Sequence, residues 1–414
     1  TFPKCPIRSL DDFSLWYTPG VAVPCRDIQA TPGLVYDLTN KANSIAVVSD
    51  GTRVLGLGDI GPEAGLPVME GKALLFKYLG GVDAVPICLG TKDPQEIVRT
   101  VKLLEPSFGG INLEDIAMPK CFRVLEDARR VCSIPVWHDD QQGTATVLLA
   151  ALINALKIVG KPIGSVRIAM IGMGAANAPT YRFLKTIGAE PALIVACDLG
   201  GILGTYRIDH RDNPEFSEQW KVCVETNREG RRGEIAETLQ GADVCIAFSA
   251  GGIIKPEWIT TMAKDAIVFA CANPVPEIWP WEAKEAGARI VATGRSDFPN
   301  QVNNSLVFPG IFRGALDVRA RTISDEMAIA AAMELATCAE ARGISDDNII
   351  CTMDEWEVVP RIAAATALKA QEQGLAQLSR TNMQVMEGAA ERIRQVRETV
   401  RLVMKGGGIL PPLA

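Results

Sequence analysis

Residues Val166 to Ile171 read VRIAMI, an apolar run that stops at IGMGAAN, where Gly172 and Gly174 separate it from an apolar helical pattern. A strand passing into a helix through so short a glycine turn aims loop N–H groups and the helix N-terminus at one point, which suits a pyrophosphate. The next strand, LIVACD, ends in Asp198, placed to accept from a ribose hydroxyl. Asn177 stands where a third glycine would let helix and strand pack closely, and packing glycines without any cofactor are the competing reading. Strands are expected again at Asp243–Phe248 (DVCIAF), Ala266–Ala270 (AIVFA) and Arg289–Ala292 (RIVA). Their alternation with helices implies a parallel, doubly wound sheet with right-handed crossovers.

A chain of 414 residues exceeds one ordinary core. Upstream, Ser44–Ser49 (SIAVVS), Ala84–Leu89 (AVPICL) and Ile134–Trp137 (IPVW) read as strands, and Glu70–Leu79 and Pro94–Leu104 as helices. A long helix from Gly143 to Val159 ends at Gly160 before KPIGS, which sets a boundary there. The expected layout is an α/β domain over residues 1–160 and a Rossmann-type nucleotide domain over 161–300. A helical return over 301–378, including an Ala-rich helix from Asp325 to Arg342, would pack on the first domain and make it discontinuous. A helical tail, 379–414, repeats apolar residues at Met386, Ala389, Ile393, Val396, Val400 and Val403. That stripe fits either packing on its own subunit or a dimer contact.

A net charge of −7 without basic runs argues against nucleic acid as a partner. The apolar stretch Val147–Val159 is interrupted by Asn154 and Lys157 and is shorter than the roughly 20 residues that cross a bilayer, so no membrane segment is expected. With no charged and apolar leader at the N-terminus, the expected compartment is the cytoplasm. Eleven cysteines without a CxxC pair fit neither a disulfide framework nor a zinc ribbon. His138 and His210 are the only histidines, so a metal would be held by oxygen.

The oxygen donors form two acidic pairs, Glu114–Asp115 at the end of GGINLED and Asp139–Asp140 after IPVWH. Successive strand residues face opposite ways, so these pairs converge only at strand ends. Three such carboxylates suit Mg²⁺ or Mn²⁺ with positions left for substrate oxygens, and solvated loop acids or helix caps are the alternative. Lys72, early in a helix, would have its pKa lowered by a desolvating pocket beside a metal, towards the range of a general base. Tyr17 is fixed by the adjacent Pro-Gly turn.

The segments YTPGVAVPC, VSDGTRVLGLGDIGP, EGKALLFK, FGGINLEDI, HDDQQGTA, ANPVPE and GRSDFPNQVNN, in that order, resemble the malic enzyme family over nearly the whole chain to about residue 375. The compact length and the EGK form are similar to the small prokaryotic branch, whereas Arg53 before VLGLGD resembles the larger eukaryotic members. The resemblance implies oxidative decarboxylation of malate to pyruvate with NAD(P)⁺ and a divalent metal. It implies Lys72 as general base, Tyr17 as general acid and Asp139 as the partner of the lysine. Glu114, Asp115 and Asp140 would be metal ligands, and Arg53 would bind a substrate carboxylate. Asn273 and Asn304 would hold substrate and the nicotinamide end, and Gly172 to Ala176, with Gly174 and Ala175, the phosphates. NAD is expected over NADP because Asp198 would repel a 2′-phosphate and LGGIL offers no cation, although Arg207 lies further along. A homodimer is expected. A malolactic enzyme yielding lactate and a non-catalytic dinucleotide-binding regulator remain as alternatives.

Overall fold

A computed structural model describes residues 5–409. The fold is α/β, built on two sheets. The first holds four parallel strands, β1 (Ser44–Ser49), β2 (Asp83–Cys88), β3 (Gly110–Leu113) and β4 (Val136–His138), in the order β2-β1-β3-β4. Alternation along β1 decides what covers each face. Ile45 and Val47 join Met69 and Phe76 of the helix Pro62–Gly80, while Ala46 and Val48 join Ile97 and Val101 of Pro94–Leu104 and Val124 of Lys120–Val131.

The helix Pro62–Gly80 begins eight residues before the expected Glu70. Pro62 occupies its first position, where the missing N–H costs no hydrogen bond, so PEAGLP starts the helix instead of delaying it, with Gly65 and Pro67 inside it. The strand β3 was not among the expected ones. It is only four residues long and opens at a Gly-Gly pair, so its alternation is too short to mark it as a strand. The helix Thr144–Val159 is preceded by a π-helical turn, Asp139–Gly143. Together they form 21 residues long and apolar enough to cross a membrane, which the expected stretch was not, yet that segment is mostly buried inside the protein.

The second sheet comprises β5 (Ile168–Ile171), β6 (Ile194–Asp198), β7 (Gly201–Ile202), β8 (Val244–Ala247), β9 (Ala266–Ala270) and β10 (Ala288–Thr293), in the order β10-β9-β8-β5-β6-β7. All neighbours are parallel except the short β6–β7 pair. The chain order reverses on either side of β5, so a crevice opens at its carboxyl end, where open α/β sheets bind ligands.

The helices after residue 308 return to the first sheet. Phe308–Asp317 packs on Pro62–Gly80, and Asp325–Ala341 packs on Thr144–Val159. Phe308 and Phe312 close on Phe76 with ring centroids 4.5 and 5.2 Å apart. The tail helix Asn382–Lys405 starts with a capping box between Thr381 and Gln384. Val385, Ala389 and Ile393 are buried against the same subunit, whereas Val396, Val400 and Val403 are only partly covered.

Candidate active site

The acidic pairs do sit at strand ends. β3 delivers Asn112 and Glu114 two residues apart on one face, and the Asn112 amide donates to Glu114 Oε2 at 2.8 Å. Asp115 then takes a left-handed backbone, φ 55°, which turns the chain and frees its carboxylate from the strand direction. Its N–H donates to Asp140 Oδ2 at 2.8 Å, joining the two loops. Asp139 lies deepest, fully buried, and accepts from Trp137 Nε1 at 3.0 Å. Gly143 leaves room for it, since a Cβ there would stand 1.9 Å from Asp139 Oδ1. Lys72 reaches in from the helix Pro62–Gly80. Its Nζ is 2.5 Å from Asp139 Oδ2 and 2.9 Å from Glu114 Oε1, and lies 4.3 Å from the Phe308 ring centre.

The electrostatics reverse the expectation for the lysine. Burial pushes the Lys72 ammonium down, but the charges of Asp139 and Glu114 outweigh it and hold its pKa above the ordinary lysine value. Burial lifts the Glu114 carboxyl well above its usual range, against the pull of Lys72 and with repulsion from Asp140 and Asp139. Asp115 is pushed up to about 8 by burial and by Asp140, and Asp140 is raised by burial. Asp115 Oδ2 is buried without a hydrogen-bond partner. This is a carboxylate cluster with too little positive charge, and its all-oxygen donor set fits Mg²⁺ or Mn²⁺. Among the described residues, no group of three acids, histidines or cysteines yet stands at ligand spacing, so Glu114, Asp115 and Asp140 would have to draw together around an ion. His138, buried and pushed down to about 3, stays neutral beside them.

The cluster forms one wall of a cavity of about 920 Å³. Arg53 lines it and is exposed, with no ion pair for its guanidinium among the described residues. The facing wall carries Gly174, Ala175, Ala176, Asn273 and Asn304, so the cavity brings most of the expected residues together. Gly172 sits just behind, at φ 83°, where a Cβ would meet Phe248 O at 2.6 Å. Asn177 replaces the third glycine by bonding instead of close packing: its buried amide donates to Gly172 O at 2.6 Å and Ile171 O at 3.2 Å, pinning the turn.

Two expected placements fail. Tyr17 is 70% exposed and lies outside the cavity, because its short helical arm has almost nothing beneath it: between residues 5 and 40 only Asp12 is buried. Asp198 does not offer a free carboxylate, since Arg207 and His210 already bind it at 2.8 and 2.6 Å. Arg207 is shared with Asp209, so two carboxylates stand around one guanidinium and the cluster stays unfavourable to a 2′-phosphate.

Sequence reasoning missed Asn112 and Trp137, although each stands two residues before the acid it serves, which is the spacing of one strand face. It also missed Glu277, which is buried and accepts from Ser249 N at 2.7 Å and Ala272 N at 2.9 Å. That carboxylate ties the loop after β8 to the loop carrying Asn273, and burial pushes its pKa up to about 7.

Comparison with known proteins matches the malic enzyme N-terminal domain to residues 2–95 and the malic enzyme NAD-binding domain to residues 242–371. The bifunctional malic/malolactic enzyme of Bacillus subtilis is 50% identical over 376 residues, which cover 91% of this chain and 90% of that protein. The NAD-dependent malic enzyme of Geobacillus stearothermophilus is 48% identical over 377 residues, 91% of this chain and 77% of the relative. Among solved structures, the Entamoeba histolytica malic enzyme aligns with a TM-score of 0.97 at 48% identity, covering 100% of this chain and 87% of the other. The Pyrococcus horikoshii malic enzyme gives 0.93 at 50% identity, covering 98% and 94%. Agreement of this depth along the length of both domains means that the chain belongs to the malic enzyme family.

Proposed function

We propose that the protein oxidises and decarboxylates malate to pyruvate and CO₂ with reduction of NAD(P)⁺. The observation that carries this is Lys72, ion-paired with Asp139 and Glu114 on one wall of a cavity whose other wall is the Gly174–Ala176 turn of the second sheet. A bound nicotinamide dinucleotide supplies the hydride acceptor, and a divalent cation held by Glu114, Asp115 and Asp140 supplies Lewis-acid polarisation of substrate oxygens.

Arg53 binds a malate carboxylate, and Asn273 and Asn304 orient the substrate against the nicotinamide. Lys72 takes the proton from the C2 hydroxyl and shares it with Asp139. The charges of Asp139 and Glu114 keep Lys72 protonated, so its capacity to accept a proton depends on how far those two charges are offset. Tyr17 serves as the acid at C3 only if a second copy of the chain delivers it. The exposed side chains of Leu10, Phe13, Leu15 and Trp16 on the same arm favour such a homodimer.

Turnover of malate with NAD⁺, followed with and without Mn²⁺, tests this reading. Free NADH and pyruvate are expected, only with the ion. The Bacillus relative, named for both activities, gives weight to a second outcome in which lactate forms and no NADH is released.

A further inference from the structure

The end of β6 carries a charged cluster separate from the acidic centre. Asp198 Oδ1 accepts from Arg207 Nη1 and from the Gly200 N–H, both at 2.8 Å. Its Oδ2 accepts from Arg207 Nη2 at 3.1 Å and meets His210 Nε2 at 2.6 Å. A carboxylate has about four lone-pair sites, and the protein itself engages all of them. The acid that would ordinarily accept from a ribose hydroxyl therefore has nothing left to offer.

The guanidinium is committed as well. Arg207 Nε donates to Asp209 Oδ1 at 2.9 Å, Nη2 to Asp209 Oδ2 at 2.7 Å, and Nη1 to Gly201 O at 3.2 Å. It lies directly against the loop that follows Asp198, since a Cβ on Gly200 would stand 2.7 Å from Arg207 Nη2. β6 neighbours β5, and the Gly172 N–H donates to Cys197 O at 2.9 Å, so the cluster adjoins the phosphate turn on the side where the adenosine half of a dinucleotide lies.

We propose that Asp209 sets the dinucleotide choice: by occupying two donors of Arg207, its carboxylate withholds that guanidinium from a ribose 2′-phosphate. The inference rests on the reading of the chain as an NAD(P)-dependent enzyme. Two carboxylates around one guanidinium leave the cluster unfavourable to a further dianion, whereas loss of Asp209 would free a bidentate edge suited to phosphate. Asp209 is 56% exposed at its side chain while Asp198 and Arg207 are mostly covered, so it can be replaced without opening the core.

The test is titration calorimetry of wild type, Asp209→Asn and Asp209→Ala with 5′-AMP and 2′,5′-ADP, which differ only in the 2′-phosphate. Both variants should keep their affinity for 5′-AMP within about twofold and gain about tenfold or more for 2′,5′-ADP. The gain should weaken with added salt, accompany a rise in kcat/KM for NADP⁺ relative to NAD⁺, and vanish in Asp209→Ala combined with Arg207→Gln. Unchanged 2′,5′-ADP affinity in both single variants, or a gain that survives loss of Arg207, overturns the proposal. Wild type that binds neither 5′-AMP nor NAD⁺ would instead overturn the dinucleotide reading beneath it, and the proposal with it.

Discussion

Replacing Lys72 by Met separates what this residue does for stability from what it does for chemistry. Methionine keeps an unbranched stem of similar length near Phe308 and removes only the charge. The ammonium lies 2.5 Å from Asp139 and 2.9 Å from Glu114, with side-chain exposures of 8%, 0% and 5% for the three groups. Without it, Asp139 retains the Trp137 N–H and Glu114 the Asn112 amide, but among the described residues no other side-chain cation pairs with either. Removing one partner of such a buried pair costs about 3–5 kcal/mol. In EDTA, Lys72→Met should therefore unfold at clearly lower denaturant than wild type. Saturating Mn²⁺ should recover most of the loss, because Lys72 and the ion compete for Glu114 and the variant leaves the ion unopposed. Turnover should not recover: even with the ion bound, loss of a general base lowers malate oxidation by about 10²- to 10⁴-fold. Unfolding in EDTA at the wild-type midpoint would refute the buried pair, and restoration of turnover by Mn²⁺ alone would refute Lys72 as the base.

Mixing Tyr17→Phe and Lys72→Ala subunits should restore activity to about a quarter of wild type if a C2 partner supplies the tyrosine, since half the dimers then hold one intact site. Mixtures no more active than the separate variants would remove that role. EDTA should abolish turnover and Mg²⁺ or Mn²⁺ restore it, and full malate oxidation by metal-free protein would exclude the carboxylate site. Burial raises Glu277 from 4.5 to about 7, so its contribution to stability is fully present below pH 4.5 and lost as pH rises through 7. Stability measured against pH should thus move by roughly 3 kcal/mol in favour of Glu277→Gln between those values, and a constant difference would contradict the burial argument.

The parts of the site that could be read in the sequence are those fixed by local geometry. A buried strand followed by a glycine turn announces β5 and its phosphate loop, and acids placed where an apolar run ends announce Glu114 and Asp139. What escaped depends on partners distant in the chain. The Lys72 pKa is set by Asp139, 67 residues away, and no local pattern tells that two carboxylates will outweigh desolvation. Asp198 is engaged from 9 and 12 residues downstream, through a loop without periodicity. Tyr17 belongs to an arm with almost no buried side chain, so its position is not decided within one subunit. β3 escaped because four residues opening at a Gly-Gly pair give its alternation too little length to identify a strand.

Malate deuterated at C2, incubated with the protein, Mn²⁺ and NAD⁺, gives the most direct reading of the proposed chemistry. The deuterium should appear in free reduced nicotinamide, with pyruvate and CO₂ formed in equal amounts to it and no label in the pyruvate. Label recovered in lactate without free reduced cofactor, or no turnover by protein that demonstrably binds NAD⁺ and Mn²⁺, would contradict oxidative decarboxylation at this site.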